Sequence, residues 1–418
     1  MNDELIWRSE LPNGLKILLL PNRLPVAHVT LYLNVGSRDE APSENGIAHF
    51  IEHTLFKGTT HRKSFHVLNR LESVGGDLNA YTSKEETCLY AAVMQPYIGR
   101  AVELFADVIF NSVFPENELE KEKQVITDEI DSYRDNPSEQ IMDDFEEHLY
   151  SGHPIGRNIL GTKSTVRKFN RKDVITFIQR HYHPSRMLLA VSGNLSLAKV
   201  ELLAQRYFTD VPFPAAEFSR PAFSNYIPFE KVIKKSHYQN HCVIGNLAYD
   251  MKHPRRTPLA LLNNYLGGSA MTSRLNLVVR EKHGYTYNIE SGYQAYTDTG
   301  LFWVYFGTEN GLHQKTLEVI EHELSRLRER PLGPLQLLQA KRQFQGQIAI
   351  AAESNANRLM AYGKQWLHAG FIESLVNTLD LIENVKQDDM IEAALEITNP
   401  MAMSTLIFEA RQRGKPTK

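Results

Sequence analysis

An internal repeat is the feature that most constrains how this chain folds. Shifting the sequence by 218 positions lays LEKEKQVITDEI (119–130) over LLQAKRQFQGQI (337–348), and HFIEH (49–53) over GGSAM (267–271). Such a repeat predicts two domains that share one fold. Chance matching of helix-rich segments is the alternative. The histidines and the glutamate of 49–53 have no counterpart in the second copy, which indicates a specialised role for the first half alone.

A proline-rich stretch marks the boundary between the two copies. DVPFPAAEFSRPAFSNYIP contains four prolines and little periodicity, which is typical of a linker. We therefore predict an N-terminal domain at 1–213, a linker at 214–228 and a C-terminal domain at 229–418. Apolar runs such as VAHVTLYLNVG predict strands, and the pattern at 117–134 predicts a helix, so strands and helices alternate along the chain.

Composition excludes several classes of partner. The net charge is −3 and the pI about 6.6, so bulk charge indicates no nucleic acid and no anionic membrane surface. The run LKILLL is too short to cross a bilayer, and the first residues lack the pattern of a secretory signal. Cys88 and Cys242, without CxxC spacing, fit a reducing compartment or buried thiols. We expect a soluble, cytoplasmic protein.

The stretch GIAHFIEHTLF places polar groups inside an apolar helical pattern. Residues four apart lie on one face of a helix, so His49 and His53 can converge on one point with Glu52 beside them. Two imidazoles at this spacing suit a tetrahedral zinc site, and His-x-x-Glu-His is the inverted zinc-protease motif. The glutamate would take a proton from zinc-bound water. Two solvated histidines on a helix surface are the alternative, which the apolar neighbours disfavour.

The predicted helix at 119–134 offers a third ligand. Projected at about 100° per residue, it has an apolar arc made of Leu119, Val125, Ile126, Ile130 and Tyr133. Past the first turn, Glu122 and Glu129 are the carboxylates inside this arc. A carboxylate among aliphatic side chains is costly unless a cation compensates it, and a metal held by two histidines is such a cation. The alternative is a pair of edge glutamates that reach solvent.

Three stretches in this order resemble the N-terminal catalytic domain of the M16 zinc peptidases: GIAHFIEHTLFKGT, GGDLNAYTSKEETCLYA and EKEKQVITDEI. Later stretches, including LGGSAMTSRLNLVVREKHGYTYNIES, extend the resemblance over nearly the whole chain. In this family the third ligand is a glutamate about 76 positions after the second histidine, and here 129 − 53 = 76. The resemblance implies one Zn²⁺ per chain on His49, His53 and Glu129, with Glu52 as general base and Glu122 as a supporting buried glutamate.

The resemblance assigns roles to four more residues. Arg280 and Tyr287 correspond to an arginine and a tyrosine that bind the substrate backbone and help to stabilise the tetrahedral intermediate. Without the family, their stretch is a charged helix end, a cap at Gly284 and the next strand. Asn79 and Ala80 correspond to edge-strand positions that pair with an extended peptide. A shift of 215 positions lays their segment, NAYT, over QAYT in the second copy.

The fold implied by the resemblance is α+β, with two homologous domains, each a mostly antiparallel sheet backed by helices. The implied activity is that of a zinc metalloendopeptidase, which hydrolyses peptides or unfolded segments inside a closed chamber. Long family members have four such domains in one chain, and this chain has two. The resemblance therefore implies a homodimer that completes the chamber.

Four alternatives stay open. A non-catalytic relative, such as a core subunit of a respiratory complex, would lose the metal set, which is intact here. A half-enzyme would need a partner chain, whereas the zinc motif and the arginine–tyrosine pair both occur in this chain. A processing peptidase with a narrow presequence preference goes with a longer glycine-rich loop than GGSAMTSRL. A zinc-stabilised binding module would need a fourth protein ligand, and neither cysteine is a candidate.

Overall fold

The structure, a computed structural model, describes residues 5–209 and 218–410. The strands are β1 (Trp7–Glu10), β2 (Lys16–Pro21), β3 (Val26–Leu33), β4 (Asp77–Thr82), β5 (Thr87–Met94), β6 (Met187–Gly193), β7 (Glu230–Lys235), β8 (Asn240–Ala248), β9 (Thr286–Ala295), β10 (Gly300–Thr308) and β11 (Ser404–Ala410). The helices of the N-terminal half are α1 (Ile47–Thr54), α2 (Ser64–Glu72), α3 (Ile98–Asn111), α4 (Glu116–Asp135), α5 (Pro137–Leu149), α6 (Lys163–Val166), α7 (Arg171–His181) and α8 (Leu197–Phe208).

The C-terminal half adds six α-helices and two π-helices within the described residues. The α-helices are α9 (Arg256–Gly267), α10 (His313–Glu329), α11 (Pro334–Ala351), α12 (Asn355–Lys364), α13 (Leu375–Glu383) and α14 (Gln387–Ile397). The π-helices are Asn276–Lys282 and Gln365–Ala369. Short 3₁₀ turns cover Ser37–Asp39, Pro42–Glu44, Gln95–Tyr97, Pro154–Gly156 and Pro184–Arg186. Across the described ranges, no helix is both long and apolar enough to cross a membrane.

The strands form two sheets of the same topology. The strand order is β1-β2-β6-β3-β5-β4 in the first sheet and β7-β11-β8-β10-β9 in the second. Each sheet has a parallel pair, β2 with β6 and β7 with β11, and its other pairs are antiparallel. Without β1, the two orders match strand for strand. The predicted fold of two homologous α+β domains, each with a mostly antiparallel sheet and helices, is therefore confirmed.

The predicted shift of 218 positions is right for two pairs of helices. α4 begins at Glu116 and α11 at Pro334, and 334 − 116 = 218. α5 begins at Pro137 and α12 at Asn355, and 355 − 137 = 218. These helices are therefore equivalent in the two copies. The predicted helix at 117–134 is confirmed as α4, which is longer by one residue at each end.

The predicted shifts are wrong nearer the metal motif. Residues 49–53 lie inside α1, whereas α9 ends at Gly267, the first residue of the segment laid over them. β4 ends at Thr82 and β9 at Ala295, and 295 − 82 = 213 rather than the 215 predicted from NAYT and QAYT. Loops between packed elements tolerate insertions, so one shift does not hold along the whole repeat.

Two compact units make up the structure, and neither is a continuous half of the chain. As far as the structure describes them, the first unit consists of Met1–Asp131, Arg157–Pro221 and Ile350–Leu375, and the second of Ser132–Gly156, Ala222–Ala349 and Val376–Lys418. Each unit therefore contains a helix from the other half. α12 packs on β3 and β6 in the first unit, and α5 packs on β8 and β11 in the second.

The predicted domain boundaries describe the sequence repeat and stay a prediction. Residues 214–217 of the predicted linker lie outside the described residues, as do 210–213 at the end of the predicted N-terminal domain.

Burial on both faces of the first sheet explains why it takes a helix from the C-terminal half. β6 is buried along its whole length and β2 along most of it, as expected for strands covered on both sides. One face belongs to the main core with α1, α3 and α8. On the other face, Leu18 and Leu188 share a buried cluster with Leu359 and Tyr362 of α12. The exchanged helix therefore supplies the second apolar layer.

Candidate metal centre

Helix α1 carries the polar residues of the motif and begins after a glycine. Gly46, its N-cap, has a φ of 96°, in the left-handed region that favours glycine. A Cβ at this position would lie 2.7 Å from a backbone oxygen, too close for contact. Phe50 and Ile51 of α1 are fully buried. This packing fixes the helix in the core and thereby the directions of His49 and His53.

Glu40 holds the first turn of α1, and the sequence analysis missed it. Its carboxylate accepts hydrogen bonds from the backbone N–H groups of Gly46 and Ala48, both at 2.9 Å, and from the side chain of Asn45 at 3.2 Å. Burial raises the pKa of Glu40 to about 8, although these hydrogen bonds act in the opposite direction. Oxygen acceptors on the otherwise unpaired N–H groups of a helix start stabilise that helix. Glu40 precedes the glycine by six positions, outside the spacing of any capping motif.

His49, His53 and Glu129 meet in the first unit. Glu129 Oε2 lies 3.8 Å from His49 Nε2 and 3.7 Å from His53 Nε2. One ligand atom from each residue lies within 4.8 Å of the other two. The imidazole rings are arranged edge to face, with their centroids 4.6 Å apart. Two helices, α1 and α4, thus bring together a group whose residue types could hold a metal ion.

Two atoms of this group are buried without a partner. Glu129 Oε2 and His49 Nδ1 have no hydrogen-bond partner, although both are shielded from solvent. An unpaired buried carboxylate oxygen is costly, and a cation between it and the two Nε2 atoms would remove the cost. Two atoms that are each about 2.1 Å from one tetrahedral zinc are roughly 3.4 Å apart, close to the observed 3.7 and 3.8 Å. The residues therefore fit zinc.

Burial shifts the pKa values of His49 and Glu129. It lowers the pKa of His49 to about 3, and the neighbouring His53 acts in the same direction. It raises the pKa of Glu129, against the effect of His53. At neutral pH, His49 is therefore an uncharged imidazole with a free lone pair, the form that binds a metal.

Glu122 contacts His53 from outside the ligand group. Its Oε2 lies 3.1 Å from His53 Nδ1, and its Oε1 lies 2.7 Å from Lys57 Nζ. Glu122 is buried. A carboxylate on the second ring nitrogen fixes the orientation and tautomer of a metal-binding histidine. The sequence analysis did not identify Lys57, although its position four residues after His53 could have pointed to it.

The buried face of α4 is narrower than the predicted apolar arc. Leu119, Ile126 and Ile130 are buried, but Val125 and Tyr133 are 48% and 38% exposed, so their assignment to that face was wrong. Val125 lies at the edge of the arc. Tyr133 lies in the last turn of α4, which extends past the core and is exposed throughout. Periodicity gives the direction of a side chain but not the extent of the surface that covers it.

Glu52 lies beside the ligand group. Burial raises the pKa of its carboxyl; Thr82 and His53 oppose this rise, and Glu129 adds to it. Glu52 lies on α1 directly before His53, so the helix itself sets it next to a residue of the ligand group. A carboxyl with a raised pKa is suited to accept a proton and return it near neutral pH.

β4 lies at the edge of the first sheet, beside this site. In the described part of the chain it pairs with β5 on one side, and its other side has no strand partner. An edge strand presents backbone N–H and C=O groups to which a further strand can bind. Asn79 is exposed and Ala80 is half-buried. α1 packs against β4, so the motif and the edge strand are neighbours.

Arg280 and Tyr287 lie in the second unit. Arg280 is on the π-helix Asn276–Lys282, with 45% of its side chain exposed, and Gly284 follows with a φ of 65°. Tyr287 is in β9 and is 78% exposed. The sequence predicts a helix end, a glycine and a strand here, but a π-helix has no reliable sequence signal. The group His49, His53 and Glu129 therefore lies in the first unit, and Arg280 and Tyr287 lie in the second.

Comparisons with known proteins agree on one family. The family model "Insulinase (Peptidase family M16)" matches residues 17–163, and the model "Peptidase M16 inactive domain" matches residues 168–344. A Bacillus subtilis protein named as an uncharacterised zinc protease, YmxG, is 33% identical over 90% of this chain and 93% of its own length. A Rickettsia felis protein with a similar name is 32% identical over 97% of this chain and 98% of its own length.

Two crystal structures share the fold of the whole chain. A protease from Helicobacter pylori has a TM-score of 0.90 at 22% identity, covering 97% of this chain and 99% of that one. A Pseudomonas fluorescens structure, described as a peptidase M16 inactive domain, has a TM-score of 0.91 at 20% identity, covering 99% of this chain and 100% of that one. With the two family models and relatives above 30% identity over most of their length, the chain belongs to the M16 peptidase family.

Proposed function

We propose that this protein is a zinc-dependent metalloendopeptidase. The observation that carries the proposal is the unpaired, buried Oε2 of Glu129, which faces the Nε2 atoms of His49 and His53 with Glu52 in the same site. Zinc is supported by the names of the Bacillus and Rickettsia relatives, which call them zinc proteases, and the proposed stoichiometry is one ion per chain. A complete set of ligands and base favours an enzyme over a non-catalytic relative.

Each residue of the proposed site has a separate role in hydrolysis. Bound zinc would supply a Lewis acid that polarises the scissile carbonyl and makes a water more acidic. Glu52 accepts the proton of the attacking water and returns it to the leaving amine. Glu122 keeps the ring of His53 oriented, and Lys57 holds Glu122 in turn.

The proposed substrate is a peptide or an unfolded segment that adds to the free edge of β4 beside Asn79 and Ala80. Strand addition reads the peptide backbone more than its side chains, so it suits varied sequences. Arg280 and Tyr287 are proposed to bind the substrate backbone and to stabilise the oxyanion, a role that rests on the family resemblance. The exposure of Tyr287 supports it, since an exposed hydroxyl is free to meet a substrate.

The proposed assembly is a homodimer that closes a chamber over the substrate, which also rests on the resemblance. A broad peptidase is favoured over a narrow presequence-processing enzyme, because the loop GGSAMTSRL is short. The proposed location is the cytoplasm. Cys88 and Cys242 are both free and buried, which supports a reducing compartment.

Metal content and peptide turnover, measured on one sample, test the proposed function. The purified protein should contain one zinc per chain by elemental analysis, lose turnover of a fluorogenic peptide on chelation and regain it when zinc is added. A Glu52→Gln protein, purified in the same way, controls for contaminating peptidases. Turnover that survives removal of the zinc, or a protein that takes up no zinc, would contradict the proposal.

A further inference from the structure

The turn between β4 and β5 is charged and yet buried. Ser83–Glu86 joins the two strands, and Lys84, Glu85 and Glu86 are 6%, 2% and 1% exposed. Turns normally run over the surface of a protein, where water solvates their charges. Three consecutive charged side chains in a buried turn each need a partner, because an uncompensated buried charge is strongly destabilising.

Distant parts of the chain supply partners for Lys84 and Glu85. Lys84 Nζ donates to the carbonyl oxygen of Arg157 at 2.7 Å. The Arg38 guanidinium donates to Glu85 Oε1 at 2.8 Å. Arg220, within the predicted linker, donates to the backbone oxygen of Glu85 at 2.7 Å and lies 3.7 Å from its carboxylate. The turn is therefore held by segments that lie before it, after it and at the linker.

Glu86 is held by the exchanged segment of the first unit. Lys364 Nζ, on α12, donates to Glu86 Oε1 at 2.9 Å, and His368 Nε2 lies 2.6 Å from Glu86 Oε2. The side chain of His368 is fully buried. Burial alone would raise the pKa of Glu86, but the hydrogen bond with His368 and the charge of Lys364 lower it to about 2. Glu86 is therefore a carboxylate at neutral pH with a partner on each oxygen.

The turn fixes a strand that borders the proposed general base. β4 ends at Thr82, directly before the turn, and packs against α1, the helix that carries Glu52. The backbone N–H of Ser37 donates to the carbonyl oxygen of Ser83 at 3.1 Å. Ser37 belongs to the loop that leads to Glu40, which caps α1. One turn is thus joined to both the strand and the helix of the site.

We propose that the buried turn Ser83–Glu86 anchors β4, and with it Glu52, in the geometry needed for hydrolysis, and that Glu86 is a positioning residue for this reaction. The inference rests on the proposed peptidase function. Replacing buried ion pairs by packed apolar residues is often neutral or stabilising, so we infer that the directed ion pairs of this turn serve to specify one position. Arg220, Lys364 and His368 follow the first repeat in sequence, so the second half of the chain completes this anchor.

The test compares two buried acids of the first unit in the full-length, zinc-loaded protein. Glu86→Gln removes the charge from the anchor. Asp107→Asn is the matched control, because Asp107 is also buried and bound to a histidine and an arginine, His61 and Arg62, but lies on α3. Both substitutions replace a buried carboxylate by the amide of the same shape, so a general loss of stability affects both.

Glu86→Gln should lower kcat about 10–100-fold, because a misplacement of about 1 Å in a site can cost about 100-fold. Its zinc content should stay that of the wild type. Asp107→Asn should lower the unfolding midpoint but leave kcat within about twofold. Lys364→Gln is the milder variant: Lys364 is one-third exposed and is one of two partners of Glu86, so the protein should fold and lose less kcat.

Hydrogen exchange gives a readout that does not depend on turnover. The amides of β4 should exchange faster in Glu86→Gln than in Asp107→Asn when each protein is held equally far below its unfolding midpoint. If the β4 amides exchange equally fast in Glu86→Gln and Asp107→Asn, or if the two variants have equal kcat per folded molecule, the proposed anchoring role is wrong. If the zinc-loaded wild type hydrolyses no peptide, the proposed function fails, and the exchange of β4 still decides whether the turn anchors the strand.

Discussion

The two units repeat one topology but bury different residues at equivalent positions. The shift that matches α4 with α11 sets Glu122 against Ala340 and Glu129 against Gln347, since 122 + 218 = 340 and 129 + 218 = 347. Ala340 is 3% exposed and lies in an apolar cluster, whereas Glu122 is 7% exposed and bound to a histidine and a lysine. The second unit folds with an apolar residue at this position. The shared fold therefore does not require a glutamate at this position, and we attribute Glu122 to the proposed metal site.

The turns between equivalent strands differ in the same way. In the second unit, the turn between β9 and β10 contains Tyr296, which is buried and donates a hydrogen bond to Glu146 at 2.6 Å. In the first unit, the corresponding turn contains three charged residues. Both turns carry buried side chains, so burial of the turn belongs to the shared fold. The charged network occurs only in the turn of the first unit, which contains the proposed zinc ligands. Because the second unit has the same topology without this network, the topology does not require it.

Substitution of the proposed general base should have the largest effect on kcat. It would remove the proposed functional difference between the two units. Glu52→Gln should reduce kcat roughly 10²–10⁴-fold, because an amide cannot accept the proton of the attacking water. The zinc content and unfolding midpoint should stay close to those of the wild type. Exchange of the exposed Glu72 for glutamine is the control. Turnover within about tenfold of the wild type would rule out this role for Glu52.

The second prediction tests whether the second unit, which lacks the proposed zinc ligands, also takes part in the reaction. Tyr287→Phe should lower kcat about 10²–10³-fold if its hydroxyl donates to the oxyanion. Stability should not change, because the side chain is 78% exposed. Tyr238→Phe, at a tyrosine of the same unit that is 83% exposed, is the matched control. Equal kcat in the two variants would limit the chemistry to the first unit.

The third prediction separates the two glutamates of α4. Glu129→Gln should lose most of the bound zinc, whereas Glu122→Gln should weaken zinc binding roughly 10–100-fold, as expected for a residue that orients a ligand. Titration with a competing chelator measures both affinities. Asp128→Asn, on the exposed side of the helix, is the control. Equal zinc affinity in the two glutamine variants would contradict the assignment of Glu129 as a ligand.

The smallest expected effect comes from placing the glutamate of the first unit into the second. Ala340→Glu should lower the free energy of unfolding by about 2–3 kcal/mol, because it buries a carboxyl in an apolar cluster. Burial would raise the pKa of this carboxyl, so the unfolded state releases its proton at a lower pH than the folded state does. The destabilisation should therefore grow as the pH rises through about 4.3.

Urea unfolding of Ala340→Glu across this pH range measures the effect, and Gln339→Glu, at the exposed neighbouring position, is the control. Equal stability of the two variants at neutral pH would mean that α11 also tolerates a glutamate on its buried face.

Local spacing was enough to predict much of the site. His49 and His53 share a helix face, and the two carboxylates of the α4 stripe, Glu122 and Glu129, converge with them. These predictions hold because a helix fixes the relative directions of nearby side chains. The same argument failed for Val125 and Tyr133, because exposure depends on what covers the helix.

The supporting contacts could not be predicted, because their partners are distant in sequence. Glu86 and His368 are 282 positions apart, and Glu85 and Arg220 are 135 apart. No periodicity links residues across such distances. The exchange of α5 and α12 between units is equally invisible, since an amphipathic pattern shows that a helix packs but not which sheet it packs on.

The exchange of helices also sets the order in which the protein can be completed during translation. The first unit includes residues up to Leu375, so 375 − 221 = 154 further residues must be made after its preceding segment ends at Pro221. At roughly 5–20 residues per second, this takes about 8–31 s. Throughout that interval the nascent chain already contains His49, His53 and Glu129, but one face of its first sheet lacks α12. We therefore expect the first unit, and with it the proposed zinc site, to be completed only after α12 has been made.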